Sequence, residues 1–135
     1  MTLLFVYGSL KEGFPNFHVN RGRRVAGDYR TCQPHPLMLA DGVLPCLLPQ
    51  PGQGLVVRGQ LFEVGPDELA AMDALERVGQ PGGYARIGID VEPLDGGAPL
   101  QAQVYVQDPA RLAAGGAHLG PLAEYTAEHA RSLHW

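Results

Sequence analysis

Glycine and proline interrupt this chain so often that a long helical bundle is disfavoured. The 135 residues include 18 glycines and 12 prolines, and both residue types turn the chain or end regular structure. We therefore expect many short elements joined by turns. The length suits a single domain, residues 1–135, with a core large enough to be stable without disulfides.

The apolar pattern predicts a strongly curved, mostly antiparallel sheet or barrel. A continuous apolar run from Leu3 to Tyr7 is typical of a buried strand. The segments ARIGIDVE and LQAQVYV both alternate, and the turn-rich PLDGGAP between them predicts an antiparallel hairpin. The hairpin residues predicted to face the core are Ala85, Ile87, Ile89, Val91, Leu100, Ala102, Val104 and Val106.

Further strands are predicted in the first half of the chain. Val25–Cys32 and Leu55–Val64 are apolar enough for strands, and Phe14–Arg24 is predicted to be a loop or a short helix. The runs HPLMLA and VLPCLLP contain prolines, which cannot donate to a ladder. We therefore expect them to be edge or irregular strands.

Two helices complete the predicted α+β domain. In GPDELAAMDALERVG, Pro66 suits the first helical position and Gly79 suits the end of the helix. The second helix is predicted from Pro121 to about Leu133. Its apolar stripe would contain Leu122, Tyr125, His129 and Leu133.

The charge pattern argues against a nucleic-acid partner. The net charge is −4, and the cluster Arg21, Arg23 and Arg24 is interpreted as a solvated loop. The sequence shows no signal-peptide pattern and no apolar window of membrane-spanning length. We therefore expect a cytoplasmic protein that does not bind membranes, with Cys32 and Cys46 reduced.

The first helix directs a carboxylate towards the core. Glu76 follows Leu69 by seven residues and Met72 by four, so helical periodicity places it on their buried stripe. Burial and the negative end of the helix would both raise its pKa, which suits a general acid–base group. Alternatively, a frayed helix end would let Glu76 reach water or an arginine. Asp73 and Arg77 are interpreted as an ordinary structural i,i+4 pair.

The segment YGSL follows the first predicted strand directly. Gly8 would allow a ligand to approach the backbone, and successive free N–H groups there could bind a carboxylate or an oxyanion. A plain turn is the alternative interpretation. A phosphate-binding loop is excluded, because no lysine has the required spacing.

Other chemistry has weaker support in the sequence. The five histidines show no metal-ligand spacing, so no metal site is predicted. Cys46 could form a nucleophilic pair with a distant histidine, which would make the protein a hydrolase. Because Cys46 lies among leucines, an inert packed thiol is the favoured interpretation.

The motifs together resemble the γ-glutamylcyclotransferase-like family, in particular its γ-glutamylamine cyclotransferase branch and bacterial relatives. The resemblance covers FVYGSLKEGFPN, PLMLADGVLPCLL, GQLFEV, MDALE and YARIGIDV, in that order. It implies a small mixed β-barrel with helices outside. It also implies a cofactor-free transferase or lyase reaction, in which a γ-glutamyl compound cyclises to 5-oxoproline and releases an amine or amino acid.

The resemblance also implies roles for particular residues. Glu76 matches the family's catalytic glutamate, which would move a proton from the attacking α-amine to the departing nitrogen. The glutamyl end of the substrate would be bound by the backbone of Tyr7, Gly8, Ser9 and Leu10.

Beyond the glutamate, Tyr84 and Arg86 match the family's Y-x-R and would contact the substrate, although Arg86 could equally be a surface residue. Tyr105 is a further candidate for the lining of the site. The chain departs from the family at RVGQPGG and at Pro45 and Cys46, which affects the identity of the leaving group more than the chemistry.

One alternative is a binding module with the same fold that senses a small metabolite without turnover. The leaving group, the physiological substrate and the oligomeric state stay open at this point.

Overall fold

Short strands and helices make up the fold, as the glycine and proline content predicts. The computed structural model describes residues 1–42, 44–114 and 118–131. The strands are β1 (Thr2–Val6), β2 (Arg23–Arg24), β3 (Tyr29–Thr31), β4 (Leu37–Ala40), β5 (Leu44–Leu47), β6 (Arg58–Val64), β7 (Ala85–Pro93) and β8 (Leu100–Val106). The helices are α1 (Pro66–Leu75), α2 (Pro109–Ala114), α3 (Ala127–Arg131) and a short 3₁₀ helix (Phe17–Val19).

Within the described residues, five strands close into a barrel in the order β1-β8-β7-β3-β6, and β6 returns to pair with β1. The β1–β8 pair is parallel, whereas the other pairs of the ring are antiparallel. Strands β4 and β5 form a separate antiparallel hairpin. The predicted α+β fold, a small mixed and mostly antiparallel barrel with flanking helices, is therefore confirmed.

Strand β1 is buried on both of its faces. Phe5 packs inside the barrel with Leu61, whereas Leu4 and Val6 pack outside it against Met72 of α1. A strand covered on both sides needs apolar residues at every position, so its sequence shows no alternation.

The contact between β6 and β1 requires a glycine. A Cβ added to Gly59 would lie 2.4 Å from the carbonyl oxygen of Val6 and 2.7 Å from the ring of Phe5. A side chain at this position would force the two strands apart.

The predicted β7–β8 hairpin is confirmed, but part of its predicted core face is exposed. The register runs from Ala85 opposite Val106 to Val91 opposite Leu100. Val91 is fully buried, whereas Ala85, Ile87 and Leu100 are exposed. Strand β3 pairs only with the C-terminal end of β7, which leaves the first half of β7 without a neighbour on that edge.

The other predicted strands form over shorter ranges. β3 occupies part of Val25–Cys32, and β6 starts three residues after the predicted Leu55. The proline-containing runs form the two-stranded β4–β5 sheet outside the barrel, in line with their expected edge character. The predicted loop or short helix over Phe14–Arg24 contains the 3₁₀ helix and β2.

The predicted C-terminal helix is wrong over its first half, because residues 121–126 are not helical. The Leu122 N–H donates to the Leu37 carbonyl over 2.8 Å, and the Ala123 carbonyl accepts from the Arg58 N–H over 2.8 Å. Backbone groups that bond to the β4–β5 hairpin and to the barrel cannot also form the hydrogen bonds of a helix.

Helix α2 was not expected from the sequence. No helix in the described part of the chain is long and apolar enough to cross a membrane.

Tyr125 closes the barrel interior. Its side chain is fully buried, and its ring packs against Phe14 and His129. The ammonium of Lys11, a residue only 3% exposed, donates to the Tyr125 carbonyl and lies 4.3 Å from the Phe14 ring centroid. Leu133, the last residue of the predicted stripe, lies outside the described residues.

Substitutions at Tyr125 should separate its packing from its hydroxyl. Tyr125→Ala should lower the free energy of unfolding by about 3–5 kcal/mol, because it empties a large volume in the core. The Tyr125 hydroxyl has no hydrogen-bond partner among the described residues, so Tyr125→Phe should be neutral or stabilising. Urea unfolding curves measure both changes. If both variants lowered the free energy of unfolding equally, the conclusion that Tyr125 stabilises the fold through the packing of its ring would be contradicted.

Candidate active site

Helix α1 ends at Glu76, the residue that the sequence predicts to be the acid–base group. Leu69 and Met72 are buried against the outer face of the barrel. Glu76 is the C-cap, and its N–H still donates to the Met72 carbonyl over 3.0 Å. The carboxylate therefore leaves the last turn on the side where the helix meets the barrel.

The glycine-rich segment after α1 is a tight turn that brings Tyr84 beside Glu76. Arg77 adopts a left-handed conformation with φ 56°. A Cβ at Gly83 would lie 1.9 Å from the Arg77 carbonyl oxygen, so only glycine fits there. The turn closes where the Tyr84 N–H donates to the Glu76 carbonyl over 2.9 Å. The departure RVGQPGG thus builds a compact connection between α1 and β7.

Hydrogen bonds between its own residues hold the loop after β1 in place. The Lys11 N–H donates to the Gly8 carbonyl over 3.1 Å. Asn16 donates twice to Ser9, from its backbone N–H to the carbonyl and from its side-chain amide to the hydroxyl, both over 2.9 Å. Among the described residues, none accepts a hydrogen bond from the N–H groups of Gly8, Ser9 or Leu10. This loop therefore offers free donors to an anionic ligand.

A cavity of about 240 Å³ lies between this loop and the end of α1. It is smaller than the ~300–1,000 Å³ typical of drug-sized ligands, so it suits a compact substrate. Six of the residues predicted for the site line it: Tyr7, Gly8, Ser9, Leu10, Glu76 and Tyr84. The fold thus brings together residues from the start and the middle of the chain.

Glu76 has the electrostatic character of a proton-transfer group. Burial raises the pKa of its carboxyl from an ordinary value of 4.5 to about 7. No N–H or O–H of the described residues donates to this carboxylate. A carboxylate with that pKa is able to accept and return a proton near neutral pH.

Two tyrosines, the buried Tyr7 and the partly buried Tyr84, form walls of the cavity. The Tyr7 hydroxyl donates to the Tyr105 carbonyl over 2.7 Å and accepts from the Leu47 N–H over 3.2 Å. The Tyr84 hydroxyl donates to the Pro45 carbonyl over 2.8 Å. Burial raises the pKa of both hydroxyls well above the ordinary value. Both tyrosines therefore stay neutral around Glu76.

Arg86 does not line the cavity. Its guanidinium forms an ion pair with Asp73 and donates to the Gln103 side chain over 3.2 Å. The predicted Asp73–Arg77 pair is therefore wrong, since Asp73 is bound from β7 and β8 instead, and Arg77 is exposed with a left-handed backbone. Helical spacing alone could not reveal this, because the competing partner comes from a strand.

Cys46 has the properties of a packed thiol. It is buried, and its Sγ lies 3.2 Å from the Tyr84 hydroxyl. Burial raises the pKa of this thiol, which keeps it protonated and poorly nucleophilic. The geometry does not favour a hydrolase that uses Cys46 as its nucleophile.

The sequence analysis did not identify several residues of the cavity. Asn16 lies within the motif FVYGSLKEGFPN and braces Ser9, but its role depends on how the loop folds back. Leu44 and Leu75 are more than one third exposed at the cavity, although they were expected only as apolar residues of a strand and a helix. Tyr105, a candidate in the sequence analysis, does line the cavity.

A larger groove of about 690 Å³ lies elsewhere on the barrel and includes Cys32, Gly88 and Ile89. Volume alone does not make it the stronger candidate, because Glu76 and the free N–H groups belong to the smaller cavity.

Comparison with known proteins identifies the family. Residues 4–126 match the family described as gamma-glutamyl cyclotransferase, AIG2-like. The chain belongs to this family. The match includes both halves of the cavity, from β1 and its loop to the hairpin that contains Tyr105.

Relatives of this AIG2-like chain include curated enzymes. It is 37% identical over 105 residues to the gamma-glutamylaminecyclotransferase of Homo sapiens. The matched region covers 73% of this chain and 67% of the human protein. A relative in Arabidopsis thaliana is 37% identical over 91 residues, but the match spans only 48% of its length. The crystal structure of an AIG2-like protein from Mus musculus aligns over 100% of this chain and 95% of that one, with a TM-score of 0.78 and 29% identity.

The raised pKa of Glu76 should appear in the pH dependence of stability. Between about 4.5 and 7 the folded protein keeps a proton that the unfolded chain has lost. The contribution of Glu76 to the free energy of unfolding should therefore decrease as the pH rises through this range. Glu76→Gln removes the effect, so its stability relative to the unsubstituted protein should increase from pH 4 to pH 8. Urea unfolding at both pH values measures this change.

Asp95→Asn is the matched control, since Asp95 is exposed in a turn. A constant stability difference between Glu76→Gln and the unsubstituted protein across this range would contradict a raised pKa at Glu76.

Proposed function

We propose that this protein is a γ-glutamylcyclotransferase-type enzyme that converts a γ-glutamyl compound to 5-oxoproline without a cofactor. The observation that carries the proposal is the arrangement of the small cavity. The Glu76 carboxylate, with a pKa of about 7, and the free N–H groups of residues 8–10 line the same space. Membership of the family and the names of its curated relatives support this reaction.

The proposed reaction is an intramolecular acyl transfer. The substrate α-amine attacks its own γ-carbonyl carbon, and Glu76 accepts a proton from the attacking nitrogen. The bond between the γ-carbon and the leaving nitrogen then breaks, and Glu76 returns the proton to that nitrogen. The products are 5-oxoproline and a free amine, so neither water nor an oxidant is consumed. Because nucleophile and electrophile belong to one molecule, the cavity has only to hold the folded-back conformer.

The backbone after β1 is proposed to bind the anionic part of the substrate. N–H groups of Gly8, Ser9 and Leu10 would donate to the α-carboxylate or to the oxygen that becomes negative during attack. Asn16 supports this geometry through its two bonds to Ser9. The neutral hydroxyls of Tyr7 and Tyr84 place no negative charge beside the carboxylate of Glu76.

The cavity favours an amine over an amino acid as the leaving group. No lysine, arginine or histidine is among the described residues that line it. A carboxylate next to the departing nitrogen would therefore meet no described cation within this cavity, and it would come close to Glu76. Leu44 and Leu75 at the same cavity offer apolar contact to a carbon chain. We therefore propose γ-glutamylamines as the substrate class.

Glu76→Gln tests the proposed chemistry. The amide has the same shape but cannot accept the proton, so the rate of 5-oxoproline release should fall by about 10²–10⁴-fold. Mass spectrometry of 5-oxoproline from a panel of γ-glutamyl compounds measures the rate, and circular dichroism checks the fold. Glu68→Gln, on the same helix, is the matched control and should keep full activity.

Full activity of Glu76→Gln on a good substrate would show that Glu76 is not the base. A different result would favour the binding-module alternative. In that case, γ-glutamyl compounds would raise the melting temperature of the unsubstituted protein, but none would yield 5-oxoproline.

The leaving-group proposal has its own test. A γ-glutamyl alkylamine should give a higher kcat/KM than a γ-glutamyl amino acid with a side chain of the same length, because only the second compound carries a carboxylate beside the scissile bond. Competition between the two compounds in one reaction measures the ratio directly. A preference for the amino acid would contradict the proposed substrate class and would leave the role of Glu76 unaffected.

A further inference from the structure

We propose that Asp73 is a positioning residue for Glu76. Through Arg86 and Tyr105, it holds the last turn of α1 against the β7–β8 hairpin and thereby keeps Glu76 at the cavity. This inference rests on the proposed function of Glu76 as the acid–base group. It gives Arg86 a role different from the substrate contact that the sequence resemblance implied.

The carboxylate of Asp73 is bound by two strands at once. Its Oδ1 accepts from the Arg86 Nε over 2.9 Å and from the Tyr105 hydroxyl over 2.6 Å. Its Oδ2 accepts from the Arg86 Nη2 over 3.0 Å. The remaining Arg86 nitrogen, Nη1, donates to the Gln103 side chain. A bidentate pair of this kind fixes orientation as well as distance.

Backbone bonds to Met72 and Tyr84 hold the main chain of Glu76, and the Asp73 contact adds a side-chain anchor between the end of α1 and the hairpin. Asp73 lies three residues before Glu76, one helical turn away on the same side of α1. The apolar anchors of the helix, Leu69 and Met72, lie earlier in the helix, and Leu75 is 38% exposed. No described donor contacts the Glu76 carboxylate itself. The end of α1 therefore relies on a polar anchor.

The same hydrogen-bond network connects the two halves of the cavity, α1 and the loop after β1. Tyr105 donates to Asp73 through its hydroxyl and accepts from the Tyr7 hydroxyl through its carbonyl. Tyr7 begins the loop that contains the free N–H groups. Displacement of α1 from Tyr105 would therefore change the distance between Glu76 and this loop.

The network also compensates the negative charge of Asp73. Burial acts to raise the pKa of Asp73, but the hydrogen bonds from Arg86 and Tyr105 outweigh it and lower the pKa. The result is an ion pair with no net charge beside α1.

Among the described residues, the titratable groups outside α1 that interact electrostatically with Glu76 are Tyr7, Cys46, Tyr84 and Tyr105. Burial raises the pKa of each of them, so all four are neutral near pH 7. The pKa of Glu76 is consequently governed by its burial. Any loosening that admits water should lower this pKa.

Asp73→Asn is the primary test, because asparagine keeps the shape but loses the charge and the double acceptor for Arg86. We expect kcat for 5-oxoproline release to fall on the order of 10²-fold, the effect of a small misplacement, with much less change in KM. We also expect the titration midpoint of Glu76 to move from about 7 towards 4.5. Carboxyl ¹³C NMR of labelled glutamate, assigned with Glu76→Gln, measures this midpoint without any substrate.

Further variants separate positioning from folding. Asp67→Asn, an exposed change at the other end of α1, is the matched control and should leave both kcat and the midpoint unchanged. Tyr105→Phe removes one hydrogen bond to Asp73. Arg86→Lys keeps the positive charge but loses the bidentate contact with the two Asp73 oxygens. Both should give effects in the same direction as Asp73→Asn but smaller. They keep the inference testable if Asp73→Asn does not fold.

A purely structural role would give a different pattern. Asp73→Asn would then lower the melting temperature, while kcat per folded molecule and the Glu76 midpoint would match those of the unsubstituted protein; this result would overturn the inference. If the unsubstituted protein releases no 5-oxoproline, the proposed function fails. The NMR midpoint in Tyr105→Phe, which removes a bond to Asp73 but leaves the charges of the ion pair unchanged, then still decides whether Asp73 positions Glu76.

Discussion

The burial of β1 on both faces is the constraint on which the rest of the fold depends. The strand lies between β6 and β8, closes the barrel through both neighbours and carries apolar side chains inwards and outwards. Its outer face can be covered only if α1 packs there. The same packing places the end of α1 next to the loop that leaves β1, so the candidate site is a direct result of how this strand is buried.

The raised pKa of Glu76 arises because the described residues around its carboxylate offer it neither a cation nor a hydrogen-bond donor. Among the described residues, the cavity around its carboxylate is lined by neutral tyrosine hydroxyls and apolar side chains. The thiol of Cys46 stays protonated, and the charge of Asp73 on α1 is compensated by Arg86. With no described cation or donor to stabilise its charged form, burial alone sets a pKa near neutrality. The loop supplies the opposite property, since the backbone N–H groups of residues 8–10 have no acceptor among the described residues and are available to an anion.

Local patterns predicted the features that depend on neighbours along the chain. The β7–β8 hairpin, the start of α1 at Pro66 and the inward direction of Glu76 all follow from periodicity and turn chemistry. Two of the failures share one cause, which is competition from partners that are distant in the sequence. Asp73 binds Arg86 rather than a helical neighbour, and residues 121–126 bond to the hairpin and the barrel instead of forming a helix. Such partners become visible only once the chain is folded.

The bond between Lys11 and the Tyr125 carbonyl has a consequence for the order of events during synthesis. It links Lys11, in the loop that follows β1, to a residue 114 positions later in the chain. A ribosome makes this loop long before it makes Tyr125. The loop therefore cannot reach its final anchored state on a nascent chain that ends before Tyr125. Completion of the candidate site is thereby delayed until Tyr125 has been made.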